Sequence, residues 1–91
     1  MSETAVPPHK PTIELLTRNA CSLCTTAREV LARVAADVGA DWVERDVDAD
    51  PDLADRYGDR VPVVLLDGRE HSYWRVEEQR LRLALEGVRS W

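Results

Sequence analysis

Apolar residues along this chain change their spacing several times, and each change marks an element. Thr12 to Thr17 (TIELLT) is a short run of β-branched and leucine residues after Pro11, which predicts a strand. From Thr25 to Val38 the apolar positions Ala27, Val30, Leu31, Val34 and Val38 recur at helical spacing, with Arg28, Glu29, Arg33 and Asp37 on the opposite face. Gly39 suits the left-handed residue that closes such a helix. Asp41 to Asp48 alternates in part and predicts a second strand, reached by a connection long enough for a parallel crossover. Asp48-Ala-Asp50-Pro51 breaks it, and Asp50 followed by Pro51 predicts the capped start of a short helix running through Leu53, Ala54 and Tyr57 to Gly58. Val61-Pro-Val-Val-Leu-Leu66 is apolar throughout, as in a strand covered on both faces. Asp67-Gly68 predicts a tight hairpin turn, with Glu70 to Trp74 as the returning strand. Leu81, Ala84, Leu85 and Val88 mark a final helix that begins near Glu77, whose acids suit its first turn.

The order β-α-β-α-β-β-α predicts an α/β domain with a four-stranded mixed sheet and helices on both faces. The crossover and final helices are expected on one face and the short middle helix on the other. Residues 1–11, with three prolines and little apolar content, read as a flexible tail, leaving 12–91 as the domain. Pro62 is the irregular position. It has no N–H to give a sheet ladder, so it belongs at a strand start, an edge or a bulge.

Composition narrows the function. Ninety-one residues make one domain, and Phe is absent, so the core must be aliphatic with help from Trp42, Tyr57, Tyr73 and Trp74. Twelve basic against 17 acidic residues give a net charge of −5, which argues against a nucleic-acid or anionic-membrane surface. The first residues contain no apolar signal region, and no apolar run approaches the ~20 residues a membrane helix needs, so a cytoplasmic monomer is expected. In a reducing compartment two cysteines point to catalysis, redox sensing or metal binding rather than to a stapling disulfide.

Those cysteines stand as Cys21-Ser-Leu-Cys24, between the first strand and the first helix. A strand that feeds a helix through a C-x-x-C puts the first thiol at the helix N-terminus. There the free N–H groups and the positive end of the dipole favour an anion. The thiolate is the reactive form, so Cys21 reads as a nucleophile, with Cys24 about one turn on and close enough to form a disulfide with it. The competing reading is half of a zinc site, for which the chain offers only His9 in the tail and His71 in the hairpin. Asp46, Asp48 and Asp50 are better explained by a strand end and a helix cap than by a cation site, and no metal is assigned.

Strand, C-x-x-C, helix, strand, short helix, Val61-Pro62, hairpin at Asp67-Gly68 and final helix together resemble the thioredoxin superfold, and within it the glutaredoxin-like branch, over roughly residues 12 to 88. The resemblance implies thiol–disulfide exchange on protein or low-molecular-weight disulfides, with Cys21 attacking and Cys24 resolving. It implies a cis bond before Pro62 and a substrate backbone lying along Val61. Arg18, three residues before Cys21, falls where glutaredoxins commonly carry a basic residue; it is a candidate substrate-binding residue, and its charge would add to the lowering of the Cys21 pKa. Arg60 is a candidate for neutralising a substrate carboxylate, with a solvated loop arginine as the alternative. The electron donor would be a reductase or a low-molecular-weight thiol, and no bound cofactor is expected. The middle pair Ser22-Leu23 replaces the usual Pro-Tyr, and Tyr73-Trp74-Arg75-Val76-Glu77 stands where a Gly-Gly pair usually helps seat glutathione. Bulky side chains there would crowd the tripeptide, and Glu77 and Glu78 would repel its carboxylate. The second function class is a binding module of the same fold, using the cysteines for a metal, an iron–sulfur cluster or a partner contact.

Overall fold

The computed structural model describes residues 12–89, with side chains to residue 86. The tail at 1–11, His9, the side chain of Val88 and Trp91 lie outside the described residues. The elements are β1 (Thr12–Thr17), α1 (Ser22–Val38), β2 (Asp41–Asp46), α2 (Pro51–Tyr57), β3 (Val63–Leu66), β4 (Arg69–Tyr73) and α3 (Glu78–Arg89), with 3-10 turns at Val47–Ala49 and Gly58–Arg60. The strands form one sheet in the order β2-β1-β3-β4. β1 runs parallel to β2 and antiparallel to β3, and β3 is antiparallel to β4. This is the expected four-stranded mixed sheet.

The order explains the strand sequences. β1 and β3 are central, so Ile13, Leu15, Leu16, Val63 and Val64 are fully buried. β2 and β4 are edges and are correspondingly polar, with charges that discourage pairing with another chain. On one face Ile13, Leu15 and Val64 pack with Ala27, Leu31, Val34 and Ala35 of α1 and with Leu81 and Leu85 of α3. On the other face Leu16, Val63 and Leu65 pack with Val47, and with Leu53 and Tyr57 of α2. The helices thus divide between the faces as the sequence order implied.

Local chemistry sets the boundaries. Gly39 closes α1 in the left-handed region (φ 71°), its N–H donating to Ala35. Asp50 caps α2 by accepting the Asp52 N–H at 3.0 Å, with Pro51 in the first turn. Asp67 (φ 50°) and Gly68 (φ 84°) are both left-handed, the backbone of a two-residue hairpin turn. Several expected boundaries move, and β4 runs from Arg69 to Tyr73 rather than from Glu70 to Trp74. α1 starts at Ser22 rather than Thr25, β2 ends at Asp46 rather than Asp48, and β3 starts at Val63, after Pro62. β2 ends early because Asp46 accepts the Asp48 N–H at 2.9 Å and turns the chain, burying Val47 under the sheet.

α1 and α3 are clasped by charge. Glu78 receives Arg33 at 2.7 Å and Arg82 at 2.8 Å, and Arg82 also reaches Asp37 at 2.7 Å. The hydrogen bonds from Arg33 and Arg82 hold the Glu78 carboxyl down to about 2, from an ordinary 4.5. A carboxylate with a lowered folded pKa stabilises the fold above its unfolded value, and that stability is lost as pH falls through the folded value. Glu78 therefore contributes acid sensitivity between about pH 4.5 and pH 2. Denaturant unfolding across that window should show a shallower acid limb for Glu78→Gln than for the wild type; parallel limbs would contradict the clasp.

Candidate redox site

β1 ends at Thr17, whose hydroxyl donates to Glu44 Oε2 at 2.8 Å, and the chain turns through Arg18-Asn19-Ala20. Ala20 is left-handed (φ 58°), an uncommon conformation for a residue with a side chain, and it aims the next residue at the helix start. Cys21 is extended (φ −113°, ψ 104°) and is the N-cap of α1. Its sulfur accepts the Cys24 N–H at 3.2 Å, as a Ser or Asp side chain does at an ordinary cap. The Cys21 carbonyl accepts the same N–H at 3.2 Å. No acid stands in the first turn of α1, so nothing there opposes a negative charge on sulfur. This cap also accounts for the helix's early start: the Cys21 sulfur and carbonyl share a first-turn N–H three residues before Ala27.

Cys21 and Cys24 are joined in a disulfide, with their Cα atoms 5.3 Å apart. Cys21 is partly exposed, whereas Cys24 is fully buried. An incoming group therefore meets the Cys21 sulfur first. Leu23, between them, is 53% exposed.

The Val61–Pro62 peptide is cis. Leu16 pairs with Val63, so Pro62 lies beside the end of β1 from which the Cys21 loop departs. Pro62 is buried and Val61 partly buried, packed against the Leu16–Val47–Val63 cluster. Trp74 clasps this bend. Its backbone N–H donates to the Arg60 carbonyl at 3.1 Å and the Pro62 carbonyl at 2.9 Å, and its indole N–H to the Asp59 carbonyl at 3.2 Å. The residue as a whole remains 55% exposed. Sequence patterning alone gave Trp74 only a packing role; its left-handed backbone (φ 68°) carries no local signal in a Tyr-Trp-Arg context.

Arg18 and Arg60 are both engaged. Arg18 donates through Nε and Nη2 to the two oxygens of Asp48, at 3.1 and 2.9 Å, and through Nη1 to the Gly58 carbonyl at 3.0 Å. That hydrogen-bonded pair raises the Arg18 pKa and lowers that of Asp48. Arg60 donates to Glu70 at 2.7 Å and to the Arg56 carbonyl at 2.9 Å, with its guanidinium over the rings of Tyr57 and Tyr73. A substrate carboxylate would have to compete with a carboxylate already in place at either residue.

One cleft reaches Cys21, and a second borders Leu23, two residues on. The first, of about 450 Å³, is polar and is lined by Arg18, Asn19, Cys21, Ser22, Thr25 and Arg28 among others. Arg28 was not singled out from the sequence as a site residue. The signal was its place on one helical stripe with Cys21 and Thr25, at i, i+4 and i+7. It donates to both oxygens of Glu44, at 2.8 and 2.9 Å, and with Thr17 it holds the Glu44 carboxyl below the usual carboxylate range. The other cleft, of about 310 Å³, is more apolar, with Leu23, Ala27, Val30, Trp74 and Val76 in its walls. A larger hollow of about 610 Å³ runs along β4 and the start of α3 and includes neither cysteine. His71 lies there, its pKa lowered by burial and then by Arg80. Asp46 and Asp50 serve as caps and Asp48 as the partner of Arg18, so each of the three acids has a structural task. Among the described residues no helix is long and apolar enough to cross a membrane.

Known proteins match this architecture. An uncharacterized protein of Mycobacterium tuberculosis is 50% identical over 78 residues, covering 80% of this chain and 80% of its own. A Northeast Structural Genomics target protein from X. campestris, solved by X-ray methods, is 36% identical, with a TM-score of 0.68 over 82% of this chain and 96% of that one. Chloroplastic thioredoxin z is 15% identical, with a TM-score of 0.73 over 90% of this chain and 80% of that one, a likeness of fold alone. The thioredoxin-like fold and its Cys21–Cys24 disulfide support a redox-type function. The family model described as Glutaredoxin-like domain (DUF836) matches residues 12–86, and the chain belongs to that family.

Proposed function

We propose that the protein is a thiol–disulfide oxidoreductase that passes two electrons from its Cys21–Cys24 dithiol to a substrate disulfide. The observation that carries this reading is the Cys21 sulfur at the N-cap of α1, accepting the Cys24 N–H with no acid nearby in the turn. In the reduced protein the same N–H and helix end favour the thiolate.

The Cys21 thiolate attacks one sulfur of the substrate disulfide. That S–S bond breaks, one substrate thiolate leaves, and a mixed disulfide joins Cys21 to the other half. Cys24 then gives up its proton and attacks the Cys21 sulfur. The second substrate thiolate departs, and the protein is left with the Cys21–Cys24 disulfide, oxidised by two electrons. Burial of Cys24 keeps it from reacting first. A low-molecular-weight thiol or a reductase restores the dithiol by the reverse exchange.

The substrate, a protein or a small disulfide, lies along the backbone of Val61 as an added strand, guided by the bend at Pro62. Arg60 stands beside that path, held by Glu70. This chemistry suits a reducing compartment such as the cytoplasm and requires one copy of the chain. The experiment is catalysed reduction of insulin disulfides with dithiothreitol as the donor. Acceleration in proportion to protein concentration is expected; none above the donor alone would contradict the reading.

A further inference from the structure

The guanidinium of Arg18 joins three segments distant in sequence. Arg18 itself belongs to the loop that delivers Cys21. Asp48, 30 residues on, lies in the 3-10 turn after β2 and takes the planar fork through both oxygens. Gly58, 40 residues on, opens the turn that leads into Val61–Pro62 and accepts the third hydrogen bond. Gly58 is helical (φ −54°, ψ −34°), a conformation open to any residue. Its lack of a side chain serves space instead: a Cβ would sit 3.1 Å from Nη2 and 3.5 Å from Nη1 of Arg18. The fork, the carboxylate and the room above the glycine form one fitted joint.

We infer that Arg18 is a positioning residue. Its joint with Asp48 and Gly58 fixes the Cys21 loop against the lead-in to Val61–Pro62, and so sets the line of approach of a disulfide to the Cys21 sulfur. It does not lend its charge to the sulfur or to a substrate carboxylate, because that charge already faces Asp48. The inference rests on Cys21 as the attacking thiol. Misplacement of reacting groups by about 1 Å can cost on the order of a hundredfold in rate. A Lys keeps the charge of Arg but cannot make a two-point fork.

The test measures single-turnover exchange of reduced protein with two probes, neutral bis(2-hydroxyethyl) disulfide and acidic oxidised glutathione, alongside the pH dependence of Cys21 alkylation by iodoacetamide. All variants are compared below their unfolding midpoints. Arg18→Lys and Asp48→Asn should each slow both probes by the same factor, on the order of tenfold, with the alkylation pH profile unmoved. The double variant should be no slower than the worse single, since the two act as one unit. Gly58→Ala, the mildest change, should fall between these and the wild type. A charge role predicts the reverse: Asp48→Asn would free the cation and speed exchange, and Arg18→Lys would match the wild type. Either of those results, or a loss confined to oxidised glutathione, overturns the inference. A wild-type protein inert toward both probes instead overturns the exchange reading, and the kinetic role of Arg18 with it.

Discussion

Cys21→Ser should abolish insulin reduction, while Cys24→Ser should stall after a single attack and accumulate a mixed disulfide on Cys21. The asymmetry follows from exposure and capping. Cys21 is the partly exposed sulfur that accepts the helix N–H, and Cys24 is fully buried one turn on. Without Cys21 no thiolate meets the substrate, and a serine hydroxyl does not replace it. Without Cys24 the first exchange proceeds, but nothing within the protein releases the product, so the adduct persists until an external thiol arrives. Mass spectrometry of each variant after exposure to a disulfide distinguishes the two. An adduct on Cys24 in Cys21→Ser, forming as fast as the one on Cys21 in Cys24→Ser, would reverse the assigned roles.

Leu31→Ala should be among the most destabilising single changes in the chain, at about 2–5 kcal/mol. Leu31 is fully buried on α1 and packs in the cluster formed with Ile13, Leu15 and Val64 of the sheet and Leu81 and Leu85 of α3. Truncation removes its burial and leaves a hollow where two helices meet the sheet, and a domain of this size has only ~5–15 kcal/mol in total. The same truncation at Leu83, on α3 but 61% exposed, should change stability by no more than about 0.5 kcal/mol. Urea unfolding of the two variants side by side separates core packing from mere loss of a leucine. Equal effects would mean that the helices do not bury the faces described.

What could be read from the sequence was what residues encode locally. Gly39, Asp50-Pro51 and Asp67-Gly68 each carry their conformation in their own chemistry, and all three elements end or begin where they indicate. The unbroken apolar run of β3 announced a strand covered on both faces, and the sheet order makes it central. The start of α1 was less legible from periodicity, because Ser22 and Leu23 are exposed and the turn is held by the Cys21 sulfur rather than by an apolar stripe. The cis bond at Pro62 rested on family resemblance, since a Val-Pro pair does not declare its isomer. The surroundings of Arg18 and Trp74 could not be read at all. Their partners lie 30 and 40 residues away for Arg18, and on the far side of a hairpin for Trp74. The sequence offers Arg18 as a charge near Cys21; only the fold brings Asp48 and Gly58 to it.

The central claim is that the start of α1 makes Cys21 an anion in the reduced protein. The most direct measurement is the pH dependence of Cys21 alkylation in Cys24→Ser, where a single thiol reports. The cap predicts a midpoint well below the ~8.5 of a free thiol. A midpoint at or above that value would mean that the helix end does not activate the sulfur, and the exchange mechanism built on it would fail.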